Sequence, residues 1–151
     1  MIILGVDPGI RHTGWAIVTL PERRVLAIGT VREKEWAKAL HTIGDATAGY
    51  LGDVGLVAVN VPAIEGVKAA FWAKSGKRSE MSIVKNGGCS GEVCGWFLAK
   101  GFRVVKVLSK RGMGLKMAPK LWAAYWGYDG RCSEDARDAA QIALIGAEEL
   151  R

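Results

Sequence analysis

The stretch Ile2 to Val18, IILGVDPGIRHTGWAIV, decides how the rest of this chain is read. It opens on an apolar run, Ile2-Ile3-Leu4-Gly5-Val6, of the length of a buried strand. One carboxylate, Asp7, closes the run, and Pro8-Gly9 follows it as a strong turn signal. A second apolar run, Trp15 to Val18, comes after Gly14, so the stretch predicts a β-hairpin. An acid at the end of a central strand opposes stability, because desolvating a carboxylate costs several kcal/mol unless something compensates. A metal ion is one compensation, with the tight turn letting a ligand approach the backbone. An Asx-turn, in which Asp7 accepts from the amides after it, is the other. At this point both readings stand.

Working outward, Arg24 to Val31 (RVLAIGTV) alternates as a third strand of the same antiparallel meander. Residues Glu35 to Leu51 place Trp36, Leu40, Ile43, Thr47, Tyr50 and Leu51 along a helical stripe, and Asp53-Val54-Gly55 breaks it. Leu56 to Val61 (LVAVNV) is the near-continuous apolar run of a strand covered on both faces, stopped by Pro62. Residues 63–77 read as irregular, and a helix is expected from Ser79 to Lys100. Its centre, Gly87-Gly88-Cys89-Ser90-Gly91, is poor in helix formers, which suits a helix lying very close across a sheet. Arg103 to Leu108 is a fifth strand. A basic loop follows, then a helix over Pro119 to Trp126 with Leu121, Trp122 and Tyr125 facing inward. Ser133 is a good N-cap for a last helix, Glu134 to Glu149, whose first turn carries the acids that a helix dipole favours. A meander followed by strands alternating with helices predicts an α/β fold, a five-stranded mixed sheet flanked by helices.

A chain of 151 residues fits one domain, 1–151, with a single substantial core. Half of it is hydrophobic and 24% charged, the profile of an ordinary soluble protein. No apolar run is long enough to span a membrane, and nothing ahead of Ile2 reads as a signal peptide. Cys89, Cys94 and Cys132 lack CxxC spacing and are expected to be free thiols, with a reducing cytoplasm as the compartment. The net charge of +6 and pI near 9.4 point to an anionic partner. The charges are clustered: Lys68, Lys74, Lys77 and Arg78 crowd one loop around Phe71-Trp72, and Lys106, Lys110, Arg111, Lys116 and Lys120 crowd another. Basic loops interleaved with aromatics suit a phosphate backbone better than a membrane surface.

The last helix opens Ser133-Glu134-Asp135-Ala136-Arg137-Asp138. Asp135 and Asp138, three apart, project from one side, and Ile142 and Ile145 continue near that face, which turns the two acids towards the sheet. Dipole placement alone explains first-turn acids but not an inward face. Asp7, Asp135 and Asp138 at one strand end would make a hard, oxygen-rich site suited to Mg²⁺ or Mn²⁺. Two such ions support phosphodiester hydrolysis, and four acidic ligands are comfortable for a pair. The fourth is expected from the strand beside the first, Leu56 to Val61.

ILGVDPGIRHTGWAIV resembles the opening of the RuvC-type Holliday-junction resolvases, and EDARDAAQIAL resembles their closing acidic helix. The order of elements between them is similar to the ribonuclease-H-like fold of that family, over nearly the whole chain. The resemblance implies a homodimer that cuts four-way DNA symmetrically with two Mg²⁺ ions per site, and catalytic, metal-holding acids at Asp7, Asp135 and Asp138. The family pattern has a glutamate near the end of the fourth strand, where this chain has Asn60 in VAVNVP. Three explanations are open: Asn60 replaces an acid in an inactivated variant, the protein is a non-catalytic junction binder, or Glu65 supplies the missing ligand. Phe71, Trp72, Lys74, Lys77 and Arg78 are then expected to probe DNA at the junction centre. Lys110, Arg111 and Lys116 would hold phosphates, and Lys110 or His12 would assist proton transfer, although His12 reads more simply as a turn residue. A YqgF-type nuclease acting on RNA precursors is the alternative within the same fold.

Overall fold

The computed structural model describes residues 1–33, 35–62, 80–109 and 117–150. The apolar runs form β1 (Ile2–Asp7), β2 (Thr13–Thr19), β3 (Arg24–Val31), β4 (Val54–Pro62) and β5 (Val104–Ser109). The helices are α1 (Trp36–Leu51), α2 (Glu80–Ala99), α3 (Pro119–Trp126) and α4 (Glu134–Glu148). Among the described residues the five strands make one mixed sheet in the order β3-β2-β1-β4-β5. The first three are an antiparallel meander; β4 runs parallel to β1, and β5 parallel to β4.

Side-chain alternation across the pleat sorts the strands into two cores. Leu4, Val6, Trp15, Ile17, Val57 and Val59 pack with Ala39, Leu40 and Ile43 of α1 and Val93, Cys94 and Phe97 of α2. Ile3, Ala16, Val18, Leu56 and Ala58 pack on the opposite face with Trp122 and Trp126 of α3 and Ala139, Ala140, Ile142 and Ala143 of α4. The sheet is therefore covered on both sides, which is why β1 and β4 read as unbroken apolar runs. The cysteines carry free thiols, and burial pushes the Cys94 thiol up against a smaller opposing pull from Lys106. Among the described residues no helix is long and apolar enough to cross a membrane.

Three details depart from the sequence expectation. β4 starts at Val54, two residues early, because Val54 pairs with Ile2 and a register shift beside it absorbs Gly55 within the strand. Leu121 points outward at 66% exposure; Trp126, not Leu121, completes the inward face of α3 with Trp122. The glycines of α2 are also turned differently from expectation. Cys89 and Ser90 face the sheet, but a Cβ on Gly88, Gly91 or Gly95 would meet nothing within 4 Å. Close approach to the sheet therefore does not explain these glycines, and with Leu98, 55% exposed, they form an open ridge.

Candidate functional site

Asp7 ends β1 and Asn60 lies near the end of β4, and the parallel ladder that pairs Val6 with Val59 brings these two ends side by side. Alternation fixes their direction. Ile3 and Leu56 face α4, so Gly5, Asp7, Ala58 and Asn60 face it as well. The C-terminal end of neighbouring parallel strands is where ligands of open α/β sheets bind.

The course of α4 follows from three close approaches. A Cβ on Gly14 would lie 2.0 Å from the Asp135 carbonyl oxygen, and one on Gly5 would lie 1.9 Å from that of Ala139. At the far end a Cβ on Gly146 would lie 2.5 Å from the Ala58 Cβ. The helix thus crosses β2, β1 and β4 in turn, with Asp135 beside Gly14, the residue that pairs with Asp7. Asp138 precedes Ala139 and so sits over β1 between those contacts. Both acids are half-buried, in keeping with the inward face expected of them.

Ser133 sets where this helix begins. Its Oγ accepts from the Ala136 backbone N–H at 3.1 Å and is also hydrogen-bonded to the Thr30 hydroxyl on β3. The cap therefore ties the helix start to the sheet edge as well as satisfying a backbone donor. Ser133→Ala is expected to lower stability by about 0.5–2 kcal/mol, the usual range for a lost N-cap. Ser133→Asp, which restores an acceptor, should recover most of that in a thermal melt.

Asn60 donates from Nδ2 to Asp7 Oδ1 at 2.8 Å. A charge-assisted bond of this kind compensates the carboxylate with no ion present. The donors are of the right kind for a hard dication: three carboxylates and an amide, without thiol or imidazole. Their placement does not fit an ion pair, however. Among the described residues no three carboxylate, imidazole or thiol groups are gathered closely enough to hold a metal ion. The strand ends and the helix bring the four predicted residues to one end of the sheet, where a hydrogen bond joins Asn60 to Asp7. His12 is exposed at the turn. Phe71, Trp72, Lys74, Lys77, Arg78, Lys110, Arg111, Lys116 and Glu65 lie outside the described residues. Sequence reasoning missed Gly5 and Gly14, although an isolated glycine inside a strand signals close approach of another backbone.

No family model matches this chain, and no curated protein matches it. Solved structures do. RuvC of T. thermophilus in complex with a Holliday junction substrate is similar at TM-score 0.67 and 20% identity, over 99% of this chain and 96% of that one. A second Thermus thermophilus RuvC structure is similar at TM-score 0.61 and 16% identity, over 99% and 96%. The Fowlpox virus resolvase, solved with Holliday junction DNA, is similar at TM-score 0.60 and 16% identity, over 97% and 99%. The sheet order, the crossing helix and these likenesses agree: the chain has the ribonuclease-H-like fold shared by RuvC and the poxvirus resolvase.

Proposed function

We propose that this protein is a structure-selective endodeoxyribonuclease of the resolvase kind that recognises four-way DNA junctions, with its hydrolytic step weakened by Asn60. The observation that carries the reading is the meeting of Asp7, Asn60 and the Asp135/Asp138 face of α4 at one end of the sheet. Mg²⁺, with Mn²⁺ as substitute, is the cofactor this reading requires; Asp7, Asp135 and Asp138 are oxygen donors of the right kind for it, and would have to draw closer together than they stand here to hold it. A neutral amide at Asn60 supplies less charge to such ions than an acid would, and here it presents N–H groups to Asp7. The basic stretches of sequence around Phe71-Trp72 and Lys110-Arg111 supply the DNA contacts in this proposal, with stacking on an exposed base contributing about 1–3 kcal/mol.

A homodimer is part of the proposal, since symmetrical cutting needs two sites. The open glycine ridge of α2, with the exposed Leu98, supports it as a surface that a second copy would cover. A second reading, a junction binder without catalysis, is favoured by the Asn60–Asp7 bond, which compensates the strand-end acid without a metal.

The test is a titration of a synthetic four-way junction and a matched linear duplex, in Mg²⁺ and in Ca²⁺, at stated salt. Junction preference with two chains bound per junction and slow, Mg²⁺-dependent cutting is the expected result. Preference with no cutting at all would favour the binder. Equal affinity for both DNAs would mean that the protein holds phosphate backbone only, and the resolvase reading would fall.

A further inference from the structure

Beside the acidic end of α4 lies a cleft of about 330 Å³ that the resolvase reading does not use. Its walls are Pro119, Trp122 and Ala123 of α3 on one side and Arg131, Cys132 and Arg137 on the other. The volume is that of a small-molecule site, large enough for a nucleotide. Two guanidinium groups face it, and no acid is among its lining residues; Asp129 and Glu134, close in sequence, do not line it. Among the described residues neither guanidinium is paired with a carboxylate.

The cleft is built and held. Arg137 donates from Nη1 to the Cys132 carbonyl oxygen at 3.1 Å, and its own carbonyl accepts from the Trp122 indole N–H at 3.3 Å. Trp122 is 1% exposed and packs edge-on against Tyr128 and beside Trp126. The Arg137 stem is thus anchored, with one of five donors assigned and a rigid fork suited to phosphate oxygens. Arg131, exposed on the loop, supplies a second cation. Charged heads above an apolar wall match the two halves of a nucleotide, the phosphate and the sugar with its base.

We propose that this cleft binds a backbone phosphate of a nucleic-acid strand, held by Arg131 and Arg137, with the adjoining sugar against Pro119 and Ala123, which lie over the buried Trp122. The proposal rests on the nucleic-acid reading above and adds a contact to it. Arg137 is the residue before Asp138 on the same helix, so a strand that reaches the carboxylates has a neighbouring phosphate to place here.

The Trp122 indole N–H, bonded to Arg137, is the reporter. In ¹⁵N-labelled protein its resonance should move saturably with 5′-dAMP and with a short single-stranded oligonucleotide. Arg131→Ala removes an exposed side chain and should leave the thermal melt unchanged. It should weaken oligonucleotide binding roughly 5- to 10-fold and reduce the slope of log affinity against log salt by about one. The rate at which a small alkylating reagent modifies Cys132 should also fall when the oligonucleotide is bound. An unmoved resonance, or an Arg131→Ala variant with wild-type affinity and salt slope, would overturn the proposal. So would a response to dAMP or inorganic phosphate alone with none to oligonucleotide, which would assign the cleft to a free phosphorylated metabolite. An Arg131→Ala effect in a protein that fails to prefer junctions would sustain the cleft and remove the resolvase reading. A preserved junction preference without that effect would do the reverse.

Discussion

Asn60→Asp and Asn60→Glu, assayed separately on a four-way junction with Mg²⁺, are expected to raise single-turnover cutting by at least about 100-fold. That factor is the scale of one electrostatic element placed where charge develops in a transition state, about 2.7 kcal/mol. The better of the two substitutions depends on reach, because Glu is one methylene longer, so both are needed. An independent readout is stability without metal. The present chain satisfies Asp7 with the Asn60 amide at 2.8 Å, and N60D exchanges that bond for a contact between like charges. The loss should be about 1.5–3 kcal/mol in chelator, the range for a hydrogen bond to a charged group. Mg²⁺ should then restore it by mass action, whereas the parent melt should respond little. If neither variant cuts and neither gains a metal-dependent melt, the hydrolytic reading is wrong for this protein and the binder stands.

The contrast between Asp7 and Asn60 shows what the sequence carried and what it did not. The strand ending in Asp7 was legible because an apolar run, a lone acid and Pro-Gly occur together within nine residues, and the hairpin has one register that buries both runs. Likewise, Ser133 announced α4 through cap chemistry, and Asp135 and Asp138 announced their face through spacing. Asn60 was legible only as a departure, since a single polar residue in an apolar strand does not name its partner. Its bond to Asp7 appears once the parallel register of β1 and β4 is known, and that register joins segments 53 residues apart. The same limit hid the direction of the α2 glycines. A helix rich in small residues has two faces, and composition does not say which is pressed on the sheet. For a related reason the sequence does not pair Arg131 with Arg137: the Ser133 cap and the first turn of α4 separate them, and α3 closes the cleft that they share.

Gly5→Ala is expected, with Gly14→Ala, to be among the most damaging glycine-to-alanine changes at the described residues. Its Cβ would lie 1.9 Å from the Ala139 carbonyl oxygen and 3.0 Å from the Ala143 Cβ. The first of these is backbone, so no rotamer change relieves it, and either β1 or α4 must move. Neither moves cheaply. β1 is hydrogen-bonded to strands on both sides, and α4 is fixed by two further close contacts, Gly14 on Asp135 and Gly146 on Ala58. Overpacking a core costs about 1–3 kcal/mol where side chains can adjust, and this clash belongs at or above the top of that range. At roughly 2–4 °C per kcal/mol for a protein of this size, the melting temperature should fall by about 6 °C or more. Gly49→Ala in α1 is the control, because its Cβ would meet nothing within 4 Å; relief of helix glycine should raise stability by about 0.5–1 kcal/mol. The pair also bears on the site. Lifting α4 from Gly5 moves Asp138, the next residue to the clash, so G5A protein that remains folded should lose more junction cutting in an N60D background than its melt alone explains. A G5A melt equal to the parent's would mean that α4 does not cross β1 at this distance, and Asp135 and Asp138 would lose the support that carries them to Asp7.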